Sequence, residues 1–186
     1  MYQLRCAIWL PLNEATTFAF FEDAHNLPRI TPPWLGFKVL TPTIHLQPGC
    51  IIDYTIRWAG LPMKWRTLID EYDPPHRFVD TALKSPYKLW HHLHTFRPHA
   101  RDNRPGTLVE DLVTYDIGYG PLGPLAQRLV VRRQLTHIFE FRQKMIAHYL
   151  LGDRAADAVV TTPIHFTAVR ATPPALKTRT GQPLPS

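Results

Sequence analysis

The chain has 186 residues, 45% of them hydrophobic and 19% charged, with a formal net charge of +6. That length supports one domain with a full core, and two cysteines without zinc-finger spacing, Cys6 and Cys50, exclude a disulfide scaffold and read as buried thiols. No apolar run approaches the ~20 residues of a membrane span, no signal peptide is recognisable at the start, and the basic residues are dispersed, so the expectation is a cytoplasmic chain without a nucleic-acid partner.

Tyr2–Leu10 alternates crudely and is rich in bulky side chains, which predicts an edge strand ended by Pro11. Asn13 is placed to cap a short helix, with Glu14 in its first turn and Phe18 and Phe21 on one face. Residues 25–30 predict a second helical turn before the TPPW break. Strands then follow at 37–44, 51–58, 63–72, 77–83, 87–97 and 107–117, separated by turn signals every 8 to 12 residues. This is the pattern of a meandering antiparallel sheet. The loop PHARDNRPG is charged and rich in Pro and Gly, as an exposed hairpin tip requires.

After Gly123 the apolar period changes from two to about 3.6. Val131, Leu135, Ile138, Met145 and Tyr149 recur at helical steps, which predicts one amphipathic helix over 124–150 closed by Gly152. From Asp153 the sequence is rich in Pro and Thr and reads as a flexible tail, so the domain is expected over 1–152 and the tail over 153–186. The alternative for part of that stretch is a strand at 164–169.

The order is strand, two short helices, about six further strands, and one long helix. A twisted antiparallel sheet of this many strands curves, and only the long helix can cover its concave face. Where the two do not touch, a cavity remains, the usual form of a small-molecule site.

The segments FAFFEDAHNLPRITPPWLGFKVLTP, GCIIDYTIRWAGLPMKWRTLIDEYDPPHRFVDTALKSPYKLWHHLHTF and GTLVEDLVTYDIGYGPLGPLAQRLVVRRQLTHIFEFR carry a family likeness spread over about residues 13 to 145. They resemble the SRPBCC, or START-like, superfamily, and within it the bacterial polyketide cyclase/dehydrase-type members. The resemblance implies an α+β helix-grip fold: a curved antiparallel sheet of about six to seven strands, two short helices, and a C-terminal helix over the concave face. It implies no catalytic motif that can be carried over residue by residue, because lipid carriers, hormone receptors, cyclases and oxygenase domains share the fold.

The candidate site comes from polar groups set into apolar strand faces. His92 and His94 alternate on one face with Trp90 and Phe96. Asp111 lies among Val109, Val113 and Tyr115 on the neighbouring strand. Arg142 interrupts the apolar stripe of the long helix, and its forked donors suit a carboxylate, either Asp111 or a ligand's. Trp65 adds aromatic area from another strand. A His-x-His strand pair is also a metal spacing, with Asp111 as a third ligand. Neither the resemblance nor a cupin-like pattern supports that, and the expectation is hydrogen-bonded histidines with no metal and no cofactor.

Three functional readings follow. The first is a binding protein for a small apolar or aromatic molecule, with Trp65, Trp90, His92, His94, Phe96, Asp111, Tyr115 and Arg142 around it. The second is a cyclase/dehydratase-type enzyme in which Asp111, His92 or His94 abstracts a proton and Arg142 or Tyr115 stabilises an oxyanion. The third is an interaction module docking through the basic helix face and the tail. The expected state is a monomer or weak homodimer.

Overall fold

Alternating apolar positions from Ile51 to Asp116 fold into a meander, and everything else in the chain is arranged around it. The computed structural model describes residues 1–58, 60–118, 120, 123–155 and 159–169. Strands β1 (Tyr2–Leu10), β2 (Lys38–Val39), β3 (Ile51–Trp58), β4 (Leu61–Asp73), β5 (Arg77–Lys84), β6 (Leu89–Pro98), β7 (Thr107–Asp116), β8 (Val160–Thr161) and β9 (His165–Ala168) form one antiparallel sheet. Its order is β2-β3-β4-β5-β6-β7-β1-β8, with β9 also paired to β1. The helices are α1 (Glu14–Glu22), α2 (Gly123–Ala126) and α3 (Arg132–Leu151), with one π-helical turn, Gln127–Val131, between α2 and α3.

The architecture is the α+β grip expected from the sequence, with three differences in its strands. First, β1 is not an edge strand. It pairs with β7 over its whole length, from Tyr2 opposite Tyr115 to Leu10 opposite Thr107, and with β8 and β9 on its other side. Its sequence explains this: Cys6 to Leu10 are all buried, and a continuous buried run marks a strand covered on both faces.

Second, the stretch after residue 152 is not all tail. β8 and β9 return to β1, with Leu4 opposite Phe166 and Ile8 opposite Thr161, so the strand alternative at 164–169 describes part of it. Residues 170–186, also read as tail, lie outside the described residues. Third, the strand expected at 37–44 shrinks to Lys38–Val39, after which the Leu40 and Thr41 amides both donate to the Asp53 carbonyl. Across the β3–β4 pair, Asp53 accepts from Arg66, directly opposite, at 2.8 and 2.9 Å.

Local chemistry sets the helices. The Asn13 side chain accepts from the Thr16 amide at 2.7 Å and so caps α1. Asp23 does the same for the turn Ala24–Arg29, accepting from the His25 amide at 2.9 Å. On α3 the buried residues are Leu135, Phe139, Gln143, Ile146, Ala147 and Leu151, at steps of three and four apart from adjacent Ile146 and Ala147. Gln143, a polar residue within this buried stripe, donates to the Ala7 carbonyl at 3.1 Å. Tyr149, expected on the apolar stripe, is exposed and lies under the Arg29 guanidinium at 4.0 Å. Gly152, at φ 58°, ends the helix.

Two irregularities in the β4–β5 pairing, between Arg66 and Thr67 and between Ile69 and Glu71, bend the sheet around the helix. The interior divides into two clusters. One centres on Trp65, Trp90, Tyr115 and Leu135, the other on Phe18, Phe21, Phe96 and Ile146. Phe18 is 2% exposed and sits edge-on to Phe78 and Phe96 at 6.0 and 5.1 Å. Phe18→Ala removes this wedge and is expected to cost about 3–5 kcal/mol. Urea unfolding followed by circular dichroism will show it as a lower midpoint at unchanged slope.

Candidate functional site

The register of four neighbouring strands draws polar side chains into one stripe. Asp80 on β5 is opposite His92 on β6, His94 is opposite Asp111 on β7, and Asp111 is opposite Cys6 on β1. Side chains two apart share a face, so Asp80, the imidazoles of His92 and His94, Asp111 and Cys6 all project to the concave side. Arg142 meets them from α3, with its Nε 3.8 Å from Asp111 Oδ2.

Each imidazole stands between two carboxylates. His92 Nε2 is hydrogen-bonded to Asp111 Oδ1 at 3.0 Å, and its Nδ1 is 3.4 Å from Asp80 Oδ2. His94 Nε2 is hydrogen-bonded to Asp80 Oδ2 at 3.0 Å. Its Nδ1 lies 2.8 Å from Asp111 Oδ1, close enough for a strong charge interaction but not aligned as a hydrogen bond. The rings are 3.7 Å apart between centroids, and Phe78 stacks on His94 at 4.2 Å.

Burial opposes charge on every member of the group, and the neighbours decide the outcome. Burial pushes the Asp111 carboxyl upward, but Arg142, His92 and His94 together outweigh it and hold the group well below the ordinary carboxylate range. At Asp80 burial is likewise outweighed, mainly by His92 and His94, and the pKa is lowered. Burial lowers His94, yet the close carboxylates of Asp111 and Asp80 raise it on balance. His92 falls, through burial and the charge of His94, despite the two carboxylates. Burial and the nearby Asp111 push the Cys6 thiol up, so it stays neutral.

This stripe forms part of the wall of a cavity of about 190 Å³ between the sheet and the helices. Most of the wall is apolar. Trp65 and Trp90 meet edge to face at 5.5 Å, Tyr87 packs on Trp90 at 4.8 Å, and Leu135, Ile138 and Phe139 close the space from α3. Tyr54 stacks on Trp65 at 5.9 Å, and both reach Thr67 Oγ1, from the Tyr54 hydroxyl at 3.2 Å and the Trp65 indole N–H at 3.1 Å. The segment after α1 contributes Leu27, Ile30, Thr31 and Leu35, so the TPPW region borders the cavity.

Of the residues picked out in the sequence, Trp65, Trp90, His92, His94 and Arg142 line the cavity. Three do not. Phe96 lies under α1 between Phe18 and Phe21. Tyr115 is fully buried, and its hydroxyl accepts from Gln127 Nε2 at 2.6 Å. Asp111 sits behind the imidazoles, shielded by them from the open space. Asp80, which the sequence reading passed over, lines the cavity in its place. Its signal was there in RFVDTALK, where Asp80 alternates with Phe78 and Ala82, but only the register shows that it faces a histidine.

Removing one partner from a buried charge group leaves the others uncompensated. Asp111→Ala is therefore expected to cost about 3–5 kcal/mol, whereas Asp53→Ala, which breaks an exposed pair with Arg66, costs under about 1 kcal/mol. Paired denaturation curves of the two variants check the difference.

The sequence profile of the family described as polyketide cyclase/dehydrase and lipid transport matches residues 10–139. Solved structures share the fold at low identity. A START superfamily protein from Mycobacterium smegmatis has a TM-score of 0.60 at 11% identity, over 80% of this chain and 99% of its own. Protein Ms6760 from the same organism has a TM-score of 0.57 at 18% identity, over 80% of this chain and 90% of its own. TTHA0849 from Thermus thermophilus has a TM-score of 0.57 at 15% identity, over 79% of this chain and 98% of its own. Among curated proteins none matches.

Proposed function

Because the chain belongs to the polyketide cyclase/dehydrase and lipid transport family, we propose that it binds a small apolar or aromatic molecule in the cavity between the sheet and α3. The observation that carries this reading is the character of the wall. Aromatic and aliphatic side chains from β3, β4, β6 and α3 surround the space, and its polar groups include a cluster at one place, Asp80, His92, His94 and Arg142. A wall of this kind takes up an apolar body by burial and orients it by one polar substituent. At about 190 Å³ the space is comparable with the about 150 Å³ apolar cavity that accepts benzene. That size favours a guest of one or two rings over a long lipid chain.

The cyclase/dehydratase reading is kept for one observation. Arg142 Nε has no hydrogen-bond partner among the described residues and belongs to a guanidinium that lines the same space as two imidazoles. A proton acceptor and a cation on one wall are the parts that enolate chemistry needs. Asp111 no longer serves as the base in that scheme, because it does not reach the cavity. The acceptor becomes His92 or His94, and Tyr115 drops out as an oxyanion donor for the same reason.

Filling the space tests the binding reading. Ile138 is half-buried on the cavity side of α3. Ile138→Trp is expected to weaken the binding of the two-ring fluorescent probe 2-naphthol at least tenfold while the far-ultraviolet circular dichroism stays unchanged. Fluorescence titration reads the affinity, and equal binding by the filled variant would place the probe elsewhere and remove the support.

A further inference from the structure

The contacts around His92 and His94 do not balance in protons. Four close nitrogen–oxygen contacts join the two rings to Asp80 and Asp111, at 3.0 and 3.4 Å on the Asp80 side and 3.0 and 2.8 Å on the Asp111 side. Two neutral imidazoles carry two N–H groups between them. Two of the four contacts would then set a nitrogen lone pair against a carboxylate oxygen. Charging one ring supplies a third N–H and still leaves one contact, the 3.4 Å approach of His92 Nδ1 to Asp80, with a lone pair facing a carboxylate, while charging both would place two imidazolium ions 3.7 Å apart in a buried site. His94 Nδ1, buried within a residue that is 3% exposed, has no hydrogen-bond partner among the described residues.

The two sides of the pair also differ. Asp80, His92 Nδ1 and His94 Nε2 converge on the side where Asp80 lines the cavity. Their ligand atoms all lie within 4.8 Å of one another. Metal–ligand bonds of about 2.0–2.2 Å separate neighbouring donors by about 3.0 Å at right angles and about 3.4 Å at tetrahedral angles. These are the spacings seen between Asp80 Oδ2 and the two nitrogens. Of the remaining nitrogens, His92 Nε2 is hydrogen-bonded to Asp111 Oδ1 at 3.0 Å and His94 Nδ1 lies 2.8 Å from the same oxygen, which puts Asp111 where a supporting carboxylate orients metal-bound imidazoles. Arg142 beside Asp111 balances that second carboxylate.

We propose that Asp80, His92 and His94 form a site for a divalent first-row transition metal ion on the wall of the cavity, with His92 bound through Nδ1 and His94 through Nε2. Asp111 is a positioning residue, accepting the N–H that each ring keeps. An ion there removes the imbalance, since both lone pairs on the Asp80 side are then used and each remaining nitrogen keeps its proton within 3.0 Å of Asp111 Oδ1. Two imidazoles and one carboxylate are a nitrogen and oxygen donor set suited to zinc, cobalt or iron(II), and three protein donors leave coordination positions open toward the cavity. This revises both the sequence expectation that no metal binds and the choice of Asp111 as the third ligand. It does not depend on the cavity's organic guest.

The test uses the full chain, stripped with a chelator and titrated with cobalt(II) chloride. One ion per chain is expected, with visible d–d absorption and a raised melting temperature. Asp80→Asn and His94→Gln should each weaken binding at least 100-fold, and Asp111→Asn about 10–100-fold. Circular dichroism verifies that the variants fold. Should any fail to fold, X-ray absorption of cobalt on the unaltered chain gives the same decision, since two imidazole rings must appear in its scattering. Absence of binding at millimolar cobalt overturns the proposal, as does a spectrum without imidazole. Binding equal in folded Asp80→Asn and His94→Gln assigns the ion to surface histidines and also overturns it. The dye titration on the same metal-free samples reports separately on the cavity.

Discussion

Everything in this fold that bears on function depends on one constraint: charged groups set into the apolar concave face must be compensated there, because water cannot do it. Asp111 is buried under α3 and held ionised chiefly by Arg142. That pairing, with the buried stripe of Leu135, Phe139, Ile146 and Leu151, turns one face of α3 to the sheet. The helix then cannot slide or roll without exposing a carboxylate to an apolar interior. The histidines are fixed in turn, each between two acids on neighbouring strands. The rigidity of the polar wall follows from charge balance, and the shape of the apolar wall follows from packing.

The cavity itself comes from curvature. The β4–β5 irregularities bend the sheet where Thr67 and Ile69 point into the space, and the aromatic residues of β3, β4 and β6 are too large to close against the helix on all sides. The side chains of α3 facing them, Leu135, Ile138 and Phe139, fill the gap only in part. Around Phe18 and Phe96 the same sheet packs closely beneath α1. One curved sheet thus carries a closed core at one end and a receptive space at the other.

The sequence made the fold legible because its periods are strong. The alternation of Trp90, His92, His94 and Phe96 gave the strand and its inward face correctly, and the change to helical steps after Gly123 gave the long helix. What it could not give was register. Asp80 matters because it stands opposite His92, a relation between residues twelve apart that no local pattern encodes. Phe96 and Tyr115 share the inward face but lie beyond the ends of the cavity, a difference of position along the strand and not of side-chain direction. Asp111 points inward as read, yet two rings stand in front of it. The strands β8 and β9 were obscure for another reason: their pairing is carried by backbone hydrogen bonds, to which a sequence rich in Pro and Thr offers little periodic trace.

The return of the chain to β1 has a consequence for how the molecule behaves among its own copies. A long strand with one bare side exposes a row of amides and carbonyls that can recruit another chain. Here β8 and β9 occupy that side of β1, and the opposite margin of the sheet ends in β2, two residues long and carrying Lys38. Among the described residues both borders are thereby shorter templates for edge-to-edge pairing than a bare β1 would be.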